Sequence, residues 1–334
     1  MKAFTNLLKP IVNNQYYYRR LNYEQQKIYE CISVGIKALA KEIKLPKRPI
    51  NEISIIFESV LLDNPLFFYV ATFNLATDLY KGKCIIRPYY KYSKQFIRDT
   101  TLSIKEYLRV YDKYKSVSDI EKELIVHDLC VNTFKYDYLF EDYSFSILGP
   151  IINRKATCEG IAKFVKRSLD YLAVDNIIVL GKAIDPSDGS KPERHAWNMV
   201  FIEGESYHLD VTFDMTIMVR ANRYDYFNLS DNDIKKEHTI INSIPACPKQ
   251  GNDYYTLNSM VVKNPQDLGT YIANQLKKGI KNIVVKLQDV KDTDSIVDKV
   301  IDIAQSQFEV INKKSSNISC SYNPSQLVFE IYFR

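Results

Sequence analysis

The stretch from Lys155 to Asp214 constrains the fold most, because it sets a helix that begins on a cysteine ahead of two strand-like runs carrying a histidine and two aspartates. After Ala156-Thr157-Cys158-Glu159-Gly160, the residues Ile161, Phe164, Val165, Ser168, Leu169 and Leu172 recur at spacings of three and four, which predicts an amphipathic helix. Thr157 falls at its N-cap. A thiol in that first turn faces unpaired backbone N–H groups and the positive end of the helix dipole, which favour thiolate over thiol. The same N–H groups could bind an oxyanion. Residues 195–202 and 207–213 are rich in aromatic and β-branched residues, and Glu203-Gly204-Glu205-Ser206 supplies a turn, so a hairpin is expected there.

Cys158, His195 and Asp210 occur in that order, each where local sequence chemistry would activate a cysteine nucleophile. An imidazole within reach takes the thiol proton, and a carboxylate on the far ring nitrogen fixes the tautomer and stabilises imidazolium. Three motifs, Lys155-Ala156-Thr157-Cys158-Glu159-Gly160, His195-Ala196-Trp197-Asn198 and Tyr207-His208-Leu209-Asp210-Val211-Thr212-Phe213-Asp214, resemble the transglutaminase-like superfamily of cysteine enzymes, especially its bacterial branch. His127-Asp128 and Lys135-Tyr136-Asp137-Tyr138 resemble the helix and exit that precede the cysteine segment there, so the resemblance spans about 118–215. It implies an α+β, papain-like core: a helix bearing the nucleophile Cys158, packed on an antiparallel sheet bearing the base His195 and the third member Asp210. Arg154 stands where a glycine is common, and Ile161 where an aromatic often follows.

Two aspartates compete for the third place. In a regular hairpin with Glu203 opposite Ser206, Asp214 faces His195 and Asp210 faces Met199, an offset of about 13 Å along the strand. Ladder arithmetic thus favours Asp214. The resemblance favours Asp210, which is taken as the third member. Trp197, the only tryptophan, and Glu159 are the candidate substrate contacts.

The expected chemistry is attack of Cys158 on a carboxamide or peptide carbonyl to give a thioester, released by water (peptidase or amidase) or by an amine (protein-glutamine acyltransferase). A catalytically silent binding scaffold is the alternative. A protein or peptide substrate is expected, with no cofactor. The six cysteines, at 31, 84, 130, 158, 247 and 320, lack zinc-ligand spacing and form no disulfide pattern. Asp185 and Asp188 fall short of a calcium loop, so no metal is expected. A net charge of +5, with both signs interspersed, gives no support for a nucleic-acid surface. With no apolar run at Met1–Pro10 or later, neither a signal peptide nor a membrane span is expected, and a cytoplasmic location follows. Nothing indicates an oligomeric state.

Three domains are expected: a mixed helix and strand module over 1–115, the transglutaminase-like core over 116–240, and a small α/β module over 245–334. In the first, Asn22 and Gln25 suggest a capping box for a helix whose stripe includes Ile28, Ile32, Leu39 and Ile43. Helices are also expected over 52–62 and 94–114, with strands over 67–79 and 84–92. Ser118 and Glu121 suggest a second capping box, on a helix that turns His127 inward as a buried, hydrogen-bonded residue. The loop 184–194 is the candidate lid. Pro245-Ala246-Cys247-Pro248 reads as linker, and beyond it come strands over 255–262, 282–287, 317–322 and 326–332 with helices over 265–278 and 293–307.

Overall fold

A computed structural model of the chain describes residues 15–78, 83–184, 191–288, 295–313 and 315–334. Most of the candidate lid, residues 185–190, lies outside the described residues, as do Met1–Pro10 and the start expected for the helix at 293. The chain is α+β and divides into two compact units, Met1–Val179 with Ala196–Gly204, and Leu180–His195 with Glu205–Arg334. Among the described residues no helix is long and apolar enough to cross a membrane.

The first unit runs α1 (Tyr16–Arg20), α2 (Tyr23–Lys37), β1 (Ile43–Pro46), α3 (Ile50–Asp63), β2 (Val70–Asp78), β3 (Lys83–Tyr90), α4 (Lys94–Leu108), α5 (Asp119–Thr133), β4 (Lys135–Tyr136), β5 (Lys155–Ala156) and α6 (Cys158–Tyr171). Strand β6 (Asn176–Ala183) begins in it and β7 (Glu193–Ile202) ends in it. Both expected capping boxes form: Asn22 with Gln25 on α2, and Ser118 with Glu121 on α5. Helix α2 stops earlier than its stripe suggests. Leu39 has φ 53°, and Ile43 sits in β1, paired with Ile86 of an antiparallel sheet of order β1-β3-β2.

Helix α6 is buried on nearly every side. Ile161, Phe164, Val165 and Leu169 are each at most 1% exposed, worth about 1.5–3 kcal/mol apiece in removed apolar surface. Its two polar turns are buried too, because Lys166 Nζ bonds Asp170 Oδ1 at 3.1 Å and the Asn176 carbonyl at 3.2 Å. Phe134, just after α5, meets Phe164 edge-on at 4.9 Å. His127 is fully buried on α5, with Nδ1 3.1 Å from Asp128 Oδ1, as expected of a packed polar residue.

The second unit holds β8 (Glu205–Leu209), α7 (Val211–Ile217), α8 (Asp231–Ile234), β9 (His238–Ile240), α9 (Tyr254–Leu257), β10 (Val261–Val262), α10 (Pro265–Lys277), β11 (Asn282–Leu287), α11 (Ile296–Asn312), β12 (Ile318–Asn323) and β13 (Val328–Phe333). The last four strands form a sheet of order β10-β11-β13-β12, parallel at β10–β11 and antiparallel elsewhere. Alternation puts Ile283, Val285 and Leu287 on one face with Phe329, Ile331 and Phe333, where they meet Leu268, Ile272, Val300 and Phe308 of α10 and α11. The strand expected from 255 is a helical turn at its start, since Asp253 accepts from Thr256 N and caps α9.

Residues 223–226 tie this sheet to the rest of the unit. Arg223 forks onto Asp225 at 2.9 and 2.6 Å, and Asp225 also accepts from Tyr255 Oη (2.7 Å) and Asn323 Nδ2 (2.9 Å). The linker-like segment at 245–248 contributes a buried residue of its own, Cys247.

Candidate active site

Cys158 is the first residue of α6, in the first unit, and is partly exposed. Thr157 occupies the N-cap position, but its hydroxyl does not cap. It donates to the Ser144 carbonyl at 3.2 Å, and Thr157 N donates to the same oxygen at 3.1 Å. The helix start is thus strapped to the 144–146 segment, which Asp137 organises in turn by accepting from Ser144 Oγ, Leu139 N (3.1 Å) and Glu141 N (3.2 Å). Parallel pairing of Tyr136 with Ala156 brings the Lys135-Tyr136-Asp137 motif beside the cysteine motif. Gly160 is required by this closeness, because a Cβ there would lie 2.2 Å from the Ser144 carbonyl oxygen and 3.0 Å from that of Ser146. Arg154, where a glycine is common, does adopt a left-handed φ of 55°, and its guanidinium bonds Tyr107 Oη at 2.5 Å.

The two candidate substrate contacts differ. Glu159 pairs with Lys163 at 2.6 Å and lines a cavity of about 240 Å³ with Phe67, Phe68, Phe145, Lys91 and Asp142. Trp197 is 1% exposed, so its ring is buried rather than open to a ligand. Of the other cysteines, Cys31 is exposed and Cys320 partly so, while Cys84, Cys130 and Cys247 are buried. Burial pushes the Cys247 thiol up to about 11, and the Cys130 thiol up as well.

His195, Asp210 and a further histidine, His238, meet in the second unit. His195 Nε2 lies 2.6 Å from Asp210 Oδ2, and His238 Nε2 lies 2.9 Å from the same oxygen. The expected strand over 207–213 ends at Leu209, because Asp210 turns the chain into α7: its Oδ1 accepts from Thr212 N (3.0 Å) and Phe213 N (3.1 Å), an N-cap. Upstream, Glu203 and Gly204 have φ 53° and 83°, a two-residue turn of the primed kind, and β8 starts at Glu205. The regular ladder that would set Asp214 opposite His195 therefore does not exist. Asp214 Oδ1 instead accepts from Tyr226 N at 3.1 Å.

The pair is sealed by rings. Phe213 lies 4.9 Å from His195, 4.7 Å from His238 and 5.0 Å from Tyr226. The side chains of Asp210 and His238 are fully buried, and that of His195 is 8% exposed. Burial opposes ionisation of Asp210, but the charge and hydrogen bond of His195, with the bond from His238, outweigh it and hold the carboxyl well below the usual range. An ionised carboxylate only accepts hydrogen bonds, so His195 presents Nε2–H to it, and a base role falls to Nδ1.

Among the described residues, two groups have metal-ligating side chains within 4.8 Å of one another: His195, Asp210 and His238, and His208, Asp231 and Cys247. In the first, the 2.6 and 2.9 Å separations are hydrogen-bond lengths. In the second, Asp231 already serves His208 Nε2 (3.0 Å), Cys247 N (3.2 Å) and Lys235 Nζ (3.2 Å), so its oxygens are occupied by protein donors.

Sequence reasoning missed His238. It sits 28 residues beyond Asp210 in a three-residue strand, and its neighbourhood carries no spacing that ties it to the histidine motif. Its place is set by pairing of Ala183 in β6 with His238 in β9.

No family model and no curated protein matches the chain. Two solved structures are similar to it in part. One is a candidate cysteine protease from Cytophaga hutchinsonii, 12% identical, with a TM-score of 0.28, over 42% of this chain and 61% of that one. The other is a TGase, 14% identical, with a TM-score of 0.32, over 66% of this chain and 58% of that one. The matches span about three fifths of each structure's length, and the chemistry of the site rests on this chain's own residues. These two are among the solved structures that the chain is similar to.

Proposed function

We propose that the chain performs cysteine-dependent amide chemistry on a protein or peptide substrate, with Cys158 as nucleophile, His195 as base and Asp210 as the group that orients His195. The observation that supports this best is the 2.6 Å bond between His195 Nε2 and an Asp210 carboxylate that is buried and locked by an N-cap. That bond gives the imidazole the tautomer a base needs. In the reaction, His195 takes the thiol proton, Cys158 Sγ bonds the carbonyl carbon, and the C–N bond breaks as imidazolium returns the proton to the amine. Water then hydrolyses the thioester, or a primary amine converts it to a new amide. The partial exposure of Cys158 at a helix start suits the same reading. The core over 116–240 would be papain-like, between modules at 1–115 and 245–334.

The test is incubation with a peptide library and a labelled primary amine, with mass spectrometry of the products. Cleavage or deamidation indicates hydrolysis, and amine incorporation indicates acyl transfer. Each should vanish in Cys158→Ala. Absence of all three products, with Cys158 no more reactive than Cys31, would replace the enzyme with a silent scaffold.

A further inference from the structure

We propose that His238 is a positioning residue for His195, acting through the shared Oδ2 of Asp210. The proposal rests on the reading of His195 as the base for Cys158. Asp210 has four acceptor positions, and four donors fill them: Thr212 N and Phe213 N on Oδ1, His195 Nε2 and His238 Nε2 on Oδ2. With Oδ1 pinned by the start of α7 and Oδ2 pinned by His238, the carboxylate plane cannot rotate away from His195. Both imidazoles must direct Nε2–H at the same oxygen, so His238 helps to impose the tautomer in which His195 offers Nδ1 to a thiol.

His238 is itself held from three sides. Its strand pairs with β6 through Ala183, Ile184 N donates to the Glu237 carbonyl at 3.0 Å, and Phe213 covers its ring. The titratable groups around it are Asp210, His195 with ring centroids 5.4 Å apart, Tyr226 at 6.0 Å, and Glu237, which accepts from Tyr226 Oη at 2.7 Å. His208 is close enough for the charge of His238 to help lower its pKa, after burial. A second donor on Oδ2 also makes Asp210 a poorer proton acceptor, so the proton on His195 stays on the ring.

The chain has four histidines, which makes the test direct. Long-range ¹H–¹⁵N spectra of protein labelled in its histidine rings report which ring nitrogen carries the proton. In the parent, neutral His195 and neutral His238 should both be protonated at Nε2. His238→Met should leave His195 a mixture of tautomers and slow alkylation of Cys158 about tenfold to a hundredfold, the worth of one hydrogen bond to a charged group. His238→Gln, whose amide nitrogen reaches the place of Nε2, should restore most of both. A parent spectrum with either histidine protonated at Nδ1 overturns the proposal without any variant. So does a folded His238→Met protein with the tautomer and alkylation rate of the parent. If His238→Met scrambles the tautomer while Cys158 alkylation stays at the parental rate, the positioning role stands and the reading of His195 as the base for Cys158 falls.

Discussion

Asp210→Asn separates the two aspartates that the sequence offered. Asparagine caps a helix as well as aspartate, and its remaining oxygen can accept from Thr212 N and Phe213 N, so α7 keeps its start. The other half of the side chain changes sense. An amide NH₂ now faces Nε2 of His195 and of His238, and each ring must turn a lone pair toward it and move its proton to Nδ1. A base protonated at Nδ1 cannot take a proton from the thiol there. The same swap in a Ser-His-Asp triad costs about 10⁴ in turnover, and a loss of that order is expected here. Stability should fall much less: two charge-assisted bonds of about 1.5–3 kcal/mol become neutral ones of about 0.5–1.5, a loss of about 2–3 kcal/mol in all. Asp214→Asn keeps an oxygen for Tyr226 N and should cost about 1 kcal/mol at parental rate. The assay is the rate of Cys158 alkylation between pH 6 and 9, or turnover once a substrate is found, beside urea unfolding of each variant. Collapse of the rate in Asp214→Asn with Asp210→Asn near parental would refute the reasoning.

Three further outcomes follow from packing and charge. Gly160→Ala drives a methyl against the Ser144 and Ser146 carbonyls; it should cost about 1–3 kcal/mol in urea unfolding and slow Cys158 alkylation by shifting the helix start. Burial pushes the Asp63 carboxyl up to about 6, so its folded value lies above its unfolded one; its contribution is complete below about pH 4 and is lost, by about 3 kcal/mol, as pH rises to about 6. Asp63→Asn should therefore flatten that part of the stability profile, and an unchanged slope would contradict it. Asp225→Ala leaves the buried Arg223 guanidinium without its fork and should destabilise the second unit by about 3–5 kcal/mol, read by hydrogen exchange in β12 and β13.

Helix starts were legible because their signals are local: the Asn22 and Ser118 boxes each close on a residue only three positions on. The C-terminal strands were legible because alternation at 282–287 and 328–333 survives into the packed face. Residues 207–213 misled because their β-branched and aromatic content argues strand, while the deciding group is one carboxylate at Asp210 that caps a helix and ends the ladder. Ile43 fitted the α2 stripe by spacing alone, and backbone reversal at Leu39 removes it from the helix. The motif order pointed to Cys158, His195 and Asp210, and the His195–Asp210 bond is present. His238 was beyond reach, since only strand pairing brings position 238 to position 210.

The central claim is that Cys158 is a nucleophile activated by His195, and brief alkylation at pH 6 tests it most directly. An ordinary thiol is only about 0.3% thiolate at that pH. Cys31, exposed on the same chain, serves as the internal reference. Peptide mapping should find Cys158 labelled at least ten times faster than Cys31 in the parent, with the advantage largely gone in His195→Ala. Equal labelling of the two cysteines at pH 6, or a Cys158 rate that His195→Ala leaves unchanged, would contradict the account.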